Sequence, residues 1–443
     1  MELKELSKLY RESGIVGAGG AGFPTYAKLN SKVETVLLNC AECEPLLRLH
    51  RQLLKFHAPE VISAFAQTID AIGAKEGIVC IKDHYKGAIE ATTALLPKYP
   101  KLRIQILPIV YPAGDEVVMI YEATGKVIRP GGLPIEAGVA VFNVETMYNA
   151  YKALNGEPLT SKLVTVAGEV ANPMTIRVPI GVTLKELVKI AGGERVEDYE
   201  YWTGGPMMGA IVNPNAPVTK TTNSIFVLPA DHLLIKRTRS DVNVEVARAA
   251  ASCCQCKTCT DLCPRNNLGH PIEPHKIMLS ASCGNFKDIN SYLNTFYCSS
   301  CGVCEMYACP QGLSPRKLIQ TVKTALRASG VTPSSDVKAS SVSPIREYRK
   351  VPLDRLVSRL GVKKYQANAP LNNELIDGFS TVNILTSQHI GAPAKPVVKF
   401  GDFVEKGQVI AEAVDGLSVN IHASISGLVI GVDDKSITIK KKD

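Results

Sequence analysis

The sequence has no apolar run of the roughly eighteen residues that a membrane-spanning helix requires. Its first residues, MELKELSKLYRESG, are charged and amphipathic, which argues against a secretory signal peptide. The formal net charge of +8 is spread along the chain without a basic tract, apart from the terminal KKKD. Nucleic acid is therefore not an expected partner. We expect a cytoplasmic protein without a membrane span.

Cysteine, in contrast, is abundant, with 13 residues in a chain of 443. In the absence of a secretory signal, this number favours metal ligation in a reducing compartment over disulfide bonds. The length allows about two to four domains, each with its own core.

Eight of the cysteines form two closely spaced runs, each ending in Cys-Pro. They read Cys253-x2-Cys256-x2-Cys259-x3-Cys263-Pro264 and Cys298-x2-Cys301-x2-Cys304-x4-Cys309-Pro310. This spacing is typical of the loop around a [4Fe–4S] cluster, and the fourth cysteine of such a run usually ligates the other cluster. The sequence therefore predicts two [4Fe–4S] clusters. One would be held by Cys253, Cys256, Cys259 and Cys309, and the other by Cys263, Cys298, Cys301 and Cys304.

Structural zinc is the alternative, but zinc sites usually combine two ligands from each of two distant turns. Four cysteines in each run suit a four-iron cluster better. Cys254 lies off the register of the first run, and we interpret it as a spare small residue. The sequence assigns no role to the remaining cysteines, which are Cys40, Cys43, Cys80 and Cys283.

A glycine-rich loop, Gly17-Ala-Gly-Gly-Ala-Gly22-Phe-Pro, lies near the start of the chain. It formally fits the dinucleotide fingerprint, but it follows a predicted helix and no acidic residue closes a βαβ unit. A plain Rossmann site is therefore not favoured. The glycines would still let backbone N–H groups approach a phosphate closely.

Polar residues also follow two predicted strands, as Asn39-Cys-Ala-Glu42-Cys-Glu44-Pro45 and as Asn143-Val-Glu145-Thr146. The carboxyl ends of strands are where α/β sheets bind ligands. Amides and carboxylates at these positions could bind ribityl or ribose hydroxyls. The alternative is a pair of polar loops with helix-capping residues.

Together these segments resemble the FMN- and NADH-binding subunit of respiratory complex I. That family carries a GxGGAGFPT loop with a lysine soon after it, an N-x-x-E-x-E-P strand end, a Y-x-x-G-E-E segment and NVET. The resemblance implies an FMN site, with nicotinamide stacked over the flavin near Glu42 and Glu44. The residues it implies are Gly17, Gly19, Gly20, Ala21, Gly22, Phe23, Lys28, Asn39, Glu42, Glu44, Gly114, Glu116, Asn143, Glu145 and Thr146. We regard all of them as binding groups and predict no catalytic acid or base.

The order of segments predicts a multidomain protein that combines α/β and α+β folds. We expect an FMN- and NADH-binding α/β domain (1–158), a β-grasp, SLBB-like domain with a return segment (159–245), a two-cluster ferredoxin-like helical domain (246–330), a linker (331–378) and an all-β barrel-sandwich hybrid domain (379–443). The last also resembles biotinyl and lipoyl carriers, but the stretch 414–419 has no lysine for a swinging arm. We expect it to serve structure or docking.

This arrangement is similar to the cobalamin reductase (PduS) family of propanediol-utilising microcompartments and, with another domain order, to the RnfC component of the Rnf complex. The resemblance implies that NADH supplies electrons to cobalamin. A cobalamin adenosyltransferase and a microcompartment shell protein are the implied partners. No corrinoid motif D-x-H-x-x-G is present, so the cobalamin prediction rests on the resemblance alone.

Two alternatives remain open. One is a component of an Rnf-type ferredoxin:NAD oxidoreductase. The other is a non-catalytic electron relay docked at a shell, because Ala18 and Ala41 stand where the complex I family has an arginine and an acidic residue.

Overall fold

The computed structural model describes residues 1–284 and 287–442. The predicted fold class is confirmed: an α/β part, a β-grasp sheet, a helical cysteine-bearing part and a C-terminal all-β part follow one another. The boundaries predicted between the domains stay predictions.

The N-terminal part is built on a four-stranded parallel sheet in the order β3-β2-β1-β5. Leu38 packs on one face of this sheet with Phe65, and Leu37 packs on the other with Met119, so helices cover both faces. The strands are β1 (Thr35–Cys40), β2 (Glu76–Lys82), β3 (Leu102–Leu107) and β5 (Val139–Asn143), with β4 (Val110–Tyr111) outside the sheet. The helices are α1 (Leu3–Glu12), α2 (Leu49–Phe56), α3 (Ala58–Ile72), α4 (Lys86–Thr93), α5 (Glu116–Thr124) and α6 (Val144–Leu154).

The register of this sheet sets the position of the predicted ligand-binding residues. Asn39 at the end of β1 lies directly beside Asn143 at the end of β5. Because the two strands are parallel, both polar segments follow the same edge of the sheet. The glycine-rich loop lies between α1 and β1, and its residue Ala18 donates its backbone N–H to Thr146 Oγ1 over 3.0 Å at that edge.

The β-grasp part is a six-stranded mixed sheet in the order β12-β7-β6-β10-β8-β9. Its elements are β6 (Ser161–Gly168), β7 (Met174–Pro179), α7 (Leu184–Ile190), β8 (Tyr199–Thr203), β9 (Ala210–Ile211), β10 (Ser224–Pro229), α8 (Leu233–Arg239) and the distant β12 (Leu371–Leu375). The central strands β6 and β10 are almost completely buried, as expected for strands with neighbours on both sides.

The cysteine-bearing part is helical, with short helices around the two runs. The helices are α9 (Val242–Ser252), α10 (Thr258–Asp261), α11 (Pro264–Asn267), α12 (Pro274–Cys283), α13 (Ile289–Leu293) and α14 (Pro315–Ala328), with one π-helical turn (Cys304–Ala308). Its core joins α9, α12 and α14 through Ala249, Ile277 and Ile319.

The predicted linker, residues 331–378, needs a correction, because its second half is regular structure. It contains β11 (Val351–Pro352), which pairs with β4, then α15 (Leu353–Arg359), and then β12, which joins the β-grasp sheet. The prediction rested on the Ser, Pro and charge content of residues 331–350. The apolar spacing of Leu356, Val357 and Leu360 is helical, and all three side chains are buried.

The C-terminal part consists of two small antiparallel sheets, ordered β13-β19-β18-β15 and β14-β16-β17. Its strands are β13 (Thr381–Leu385), β14 (Lys395–Pro396), β15 (Phe403–Val404), β16 (Val409–Glu412), β17 (Ile421–His422), β18 (Gly427–Val432) and β19 (Ser436–Lys440). Buried Lys220 ties this sandwich to the N-terminus by donating to the carbonyl oxygens of Gly14 (2.8 Å) and Asn420 (3.0 Å).

Candidate functional site

A cavity of about 260 Å³ opens at the carboxyl ends of β1 and β5. Of the 15 residues predicted to hold the cofactor, 11 line it. They are Gly17, Gly19, Ala21, Gly22, Phe23, Lys28, Asn39, Gly114, Glu116, Asn143 and Thr146. Thr25, Val141 and Phe142 complete the lining. We call this the flavin cavity.

Two glycines of the cavity wall, Gly19 of the loop and Gly114 before α5, lie too close to their neighbours to carry a side chain. A Cβ atom on Gly19 would lie 2.9 Å from Asn143 Nδ2, and one on Gly114 would collide with the carbonyl oxygen of Ala41. The loop backbone itself therefore forms one wall of the cavity, which leaves it able to approach a phosphate closely.

Lys28 supplies positive charge to the cavity. Its ammonium donates to the carbonyl oxygen of Val141 over 2.9 Å and lies 3.5 Å from Glu116 Oε1. Both side chains remain partly exposed, so the lysine can also reach a bound anion. A lysine beside a glycine-rich backbone is suited to a phosphate group.

Thr25 provides an independent test of whether a polar cofactor fits. Its side chain is buried, lines the cavity, and its Oγ1 has no hydrogen-bond partner within the described chain. Buried hydroxyls are normally paired, so this atom requires a partner from inside the cavity. The cavity is lined by backbone, amide, ammonium and hydroxyl groups, and this lining fits the phosphate and the other polar groups of FMN. Sequence reasoning did not assign Thr25 a role, although the GFPT segment contains it.

Four predicted residues do not line the cavity: Gly20, Glu42, Glu44 and Glu145. Glu42 Oε1 instead accepts from the backbone N–H groups of Leu49 (3.0 Å) and His50 (3.3 Å) at the start of α2. Glu145 forms a fully buried ion pair with Lys162. A helix N-terminus and a buried cation both stabilise a carboxylate. Glu42 and Glu145 were predicted as cofactor ligands from their positions after strands, and in the structure these two partners bind them instead.

Glu44 reaches into the β-grasp part. Its Oε2 accepts from the backbone N–H of Met207 over 2.8 Å, while its Oε1 is buried without a partner among the described residues. Burial raises the pKa of Glu44 to about 7, opposed by the hydrogen bond from Met207 and by the charge of Arg316. Arg316 in turn donates to the carbonyl oxygen of Met207 and pairs with Glu305 at 3.3 Å. Glu44 thus joins the flavin, β-grasp and cysteine-bearing parts.

The structure brings the fourth cysteine of each run to the first three of the other. We name Cys253, Cys256, Cys259 and Cys309 quartet A, and Cys263, Cys298, Cys301 and Cys304 quartet B. Burial, and then the other cysteines of quartet A, raise the pKa of Cys259 to about 12. Burial, and then charges that include the rest of quartet B, raise the pKa of Cys304 well above its usual value. Thiols crowded in this way need bound cations to become thiolates, which fits iron–sulfur clusters.

The loops around the cysteines have the backbone form that such ligation requires. Gln255, Lys257 and Ser300 have φ values of 53°, 61° and 60°, so left-handed residues recur between the cysteines. Backbone N–H groups turn toward sulfur as a result, as from Ser300 to Cys298 Sγ (3.3 Å). Donors of this kind tune the potential of a cluster. Among the described residues, no three His, Cys, Asp or Glu side chains converge tightly enough to hold a single metal ion.

Two contacts connect quartet B to the flavin cavity. Tyr111 donates its hydroxyl to the carbonyl oxygen of Cys301 over 2.7 Å. Arg265, two residues after Cys263, pairs with Asp115 at 2.9 Å, and both side chains are largely buried. Asp115 follows Gly114 of the cavity wall and caps α5. Neither contact was predicted, because the partners lie 190 and 150 positions apart and no local sequence pattern connects them.

Comparison with known proteins assigns a family to each part. Residues 10–152 match the Nuo51 FMN-binding domain, and residues 163–210 match the SLBB domain. Residues 252–314 match a 4Fe-4S dicluster domain, and residues 359–442 match the RnfC barrel sandwich hybrid domain. The flavin cavity lies in the first of these and the two quartets in the third. No helix in the described ranges is long and apolar enough to cross a membrane.

Three characterised proteins show how far the likeness extends. The chain is 40% identical to "Cobalamin reductase PduS" of Citrobacter freundii, over 97% of this chain and 95% of that protein. It is also 40% identical to the protein of that name from Salmonella typhimurium, over 98% of this chain and 96% of that protein. A component of the Na(+)-translocating ferredoxin:NAD(+) oxidoreductase complex of Acetobacterium woodii is 32% identical, over 60% of this chain and 58% of that protein. Because the chain is 40% identical to two cobalamin reductases along almost its whole length, it belongs to the cobalamin reductase PduS family.

Proposed function

We propose that this flavoprotein oxidoreductase transfers electrons from NADH through FMN and two [4Fe–4S] clusters to cobalamin, reducing cob(III)alamin and cob(II)alamin toward cob(I)alamin. One observation carries the proposal most directly. Quartet B contacts the flavin part through the Tyr111–Cys301 and Asp115–Arg265 bonds, and Asp115 directly follows Gly114 of the cavity wall. The family of the chain, whose characterised relatives carry the name cobalamin reductase, supports the choice of acceptor.

In this proposal the flavin cavity orients FMN without a catalytic acid or base. The glycine loop and Lys28 would hold the phosphate, while Asn39, Thr25 and Thr146 would hold ribityl and ring polar atoms. Bound FMN supplies the chemistry that accepts a hydride from NADH and releases electrons singly. The protein holds the ligand at the sheet edge and supplies a buried route from that edge to quartet B.

The two quartets would act in a fixed order. Quartet B contacts the flavin domain through the Tyr111 and Arg265 bonds, so we assign it the first electron. Quartet A includes Cys256, which is exposed at the protein surface, so we assign it the delivery of electrons to the acceptor. Cob(I)alamin would then be used by a cobalamin adenosyltransferase. Residence in a bacterial microcompartment, with contact to a shell protein, is part of the same proposal.

An anaerobic stopped-flow experiment on the reconstituted protein tests the function. NADH is mixed first and cob(III)alamin second, while the flavin band and the corrinoid bands are followed. We expect rapid bleaching of the flavin, followed by reduction of the corrinoid. Flavin reduction followed by electron transfer to ferredoxin but not to cobalamin would favour the Rnf-type alternative. Flavin and clusters that are present but unchanged by NADH would favour the relay.

A further inference from the structure

A second cavity, of about 370 Å³, lies where the flavin, β-grasp and sandwich parts meet. Lys152 near the end of α6, Arg177 on β7 and Lys406 in the turn after β15 all line it. It shares no lining residue with the flavin cavity. Three cations from distant parts of the chain therefore converge on one space, which we call the junction cavity.

These cations have no carboxylate partner among the described residues, Glu157 being the acidic side chain in the lining. Arg177 uses only its Nε in a hydrogen bond, to Ser161 Oγ at 3.0 Å, which leaves the two Nη groups available. Lys152 Nζ lies 4.5 Å from the ring centroid of Tyr148. Lys406 is exposed as a residue, but partial burial of its ammonium, and then the charge of Arg177, lower its pKa, while Asp377 and Glu157 oppose the shift. Like charges gathered in this way create a field that favours an anion.

Neutral hydrogen-bonding groups complete the wall. Asn149 of α6 lines the cavity, the residue is only 6% exposed, and its side-chain amide makes no hydrogen bond within the described chain. Thr160 and Ser161 add hydroxyl groups. The amide atoms of Asn149 are accessible, so they are available to bind a molecule inside the cavity. Cations, an unpaired amide and hydroxyls around one space have the chemistry of an oxyanion site.

We propose that the junction cavity binds a phosphate-bearing small molecule. The forked guanidinium of Arg177 suits phosphate, and the volume lies in the range of small-molecule pockets. Because Lys406 belongs to the sandwich and the other two cations do not, the bound phosphate also fastens the sandwich to the rest of the protein.

Titration calorimetry on the protein loaded with FMN and clusters tests this, because the flavin cavity is then filled. Orthophosphate, pyrophosphate and ATP are titrated at fixed ionic strength into the wild type and into Arg177→Gln and Lys406→Gln. We expect saturable binding that each substitution weakens about tenfold, the loss of one charge-assisted bond. Lys399→Gln is the matched control, since it removes an exposed charge of the same domain outside the cavity and leaves binding unchanged.

The three ligands distinguish the sources of the phosphate. Tighter binding of ATP assigns the site to a nucleotide, and equal or tighter binding of pyrophosphate or orthophosphate assigns it to inorganic phosphate. The proposal is overturned if none of the three binds saturably, or if Arg177→Gln and Lys406→Gln bind as the wild type does. Melting temperature and flavin absorbance confirm that each variant is folded, and Lys406 is exposed enough for its variant to fold.

Discussion

The two cysteine quartets have the same ligand chemistry but different surroundings. Quartet B contacts the flavin part directly, and the charge of Arg265 beside it is paired with Asp115. Quartet A has its sulfur-bearing loop near the surface, with Cys256 exposed and Gln255 donating to Cys253 Sγ over 3.2 Å. In the proposed route, two runs with nearly the same cysteine spacing would therefore take separate roles from their positions, since one lies against the flavin part and the other lies near the surface. The spacing of the cysteines predicts a cluster, while the neighbouring domains would decide which step of the transfer that cluster serves.

Replacing one ligand in each quartet gives the largest expected effect. Cys304→Ser and Cys256→Ser should each lower the iron content by up to one cluster of about four irons and abolish NADH-dependent reduction of cobalamin, because electrons must pass both quartets. Iron analysis and the steady-state rate measure this. Cys254→Ser is the matched control, because Cys254 lies inside the first run but outside both quartets. This variant should retain the iron content and the rate of cobalamin reduction. Normal turnover in either ligand variant would mean that its quartet is bypassed.

Arg265→Gln tests the contact that distinguishes quartet B. It leaves largely buried Asp115 without its cation, which should cost about 3 kcal/mol of stability and slow electron transfer from flavin to clusters. Reduction of the flavin by NADH should stay unchanged in stopped-flow traces. Arg103→Gln removes an exposed pair with Glu76 on the same sheet and should alter neither property. If Arg265→Gln and Arg103→Gln changed the stability and the electron-transfer rate equally, the Arg265–Asp115 contact would have no special role.

Thr25→Val examines the flavin side. The substitution removes the unpaired hydroxyl of the cavity but keeps the volume, so the dissociation constant for FMN should rise about tenfold, as for one lost hydrogen bond. Fluorescence titration of the flavin-free protein measures it. Thr93→Val, on the exposed side of α4, should bind FMN as the wild type does. An unchanged affinity in Thr25→Val would show that this hydroxyl does not face the cofactor.

Lys220→Met tests a buried charge that lies outside both quartets and outside the lining of the flavin cavity. Burial lowers the pKa of Lys220 to about 7, whereas the unfolded chain keeps a lysine pKa of about 10.4. Between these values the unfolded state binds more protons, so this group makes the protein more stable as the pH rises and less stable as it falls toward 7. The slope is up to about 1.4 kcal/mol per pH unit, and the methionine variant should lack it. Urea unfolding at pH 7.5 and 9.5 checks this; parallel pH profiles for the two proteins would refute it.

The sequence anticipated features that depend on local spacing. The pairing of Cys309 with the first run and of Cys263 with the second followed from the runs themselves, and the glycine loop met Asn143 because parallel strands end at one edge. Local spacing could not reveal the partners of the carboxylates. Glu145 meets Lys162 and Glu44 meets Met207 only after the β-grasp sheet has packed against the flavin part.

Addition of a distant strand to a sheet was equally hidden from the sequence. Strand β12 joins β7 across almost two hundred residues, and its short polar sequence carries no strong alternation. The junction cavity is a further case, because its cations at 152, 177 and 406 lie in three different domains. Such features arise from tertiary packing, which propensity and periodicity do not encode.

The order of the two quartets is most directly measured by mixing NADH anaerobically with the two ligand variants and following the remaining cluster by freeze-quench electron paramagnetic resonance. In Cys256→Ser the cluster of quartet B should become reduced soon after the flavin. In Cys304→Ser the flavin should be reduced while the cluster of quartet A stays oxidised. Rapid reduction of quartet A in Cys304→Ser, with an oxidised quartet B in Cys256→Ser, would reverse the order and contradict the proposed route.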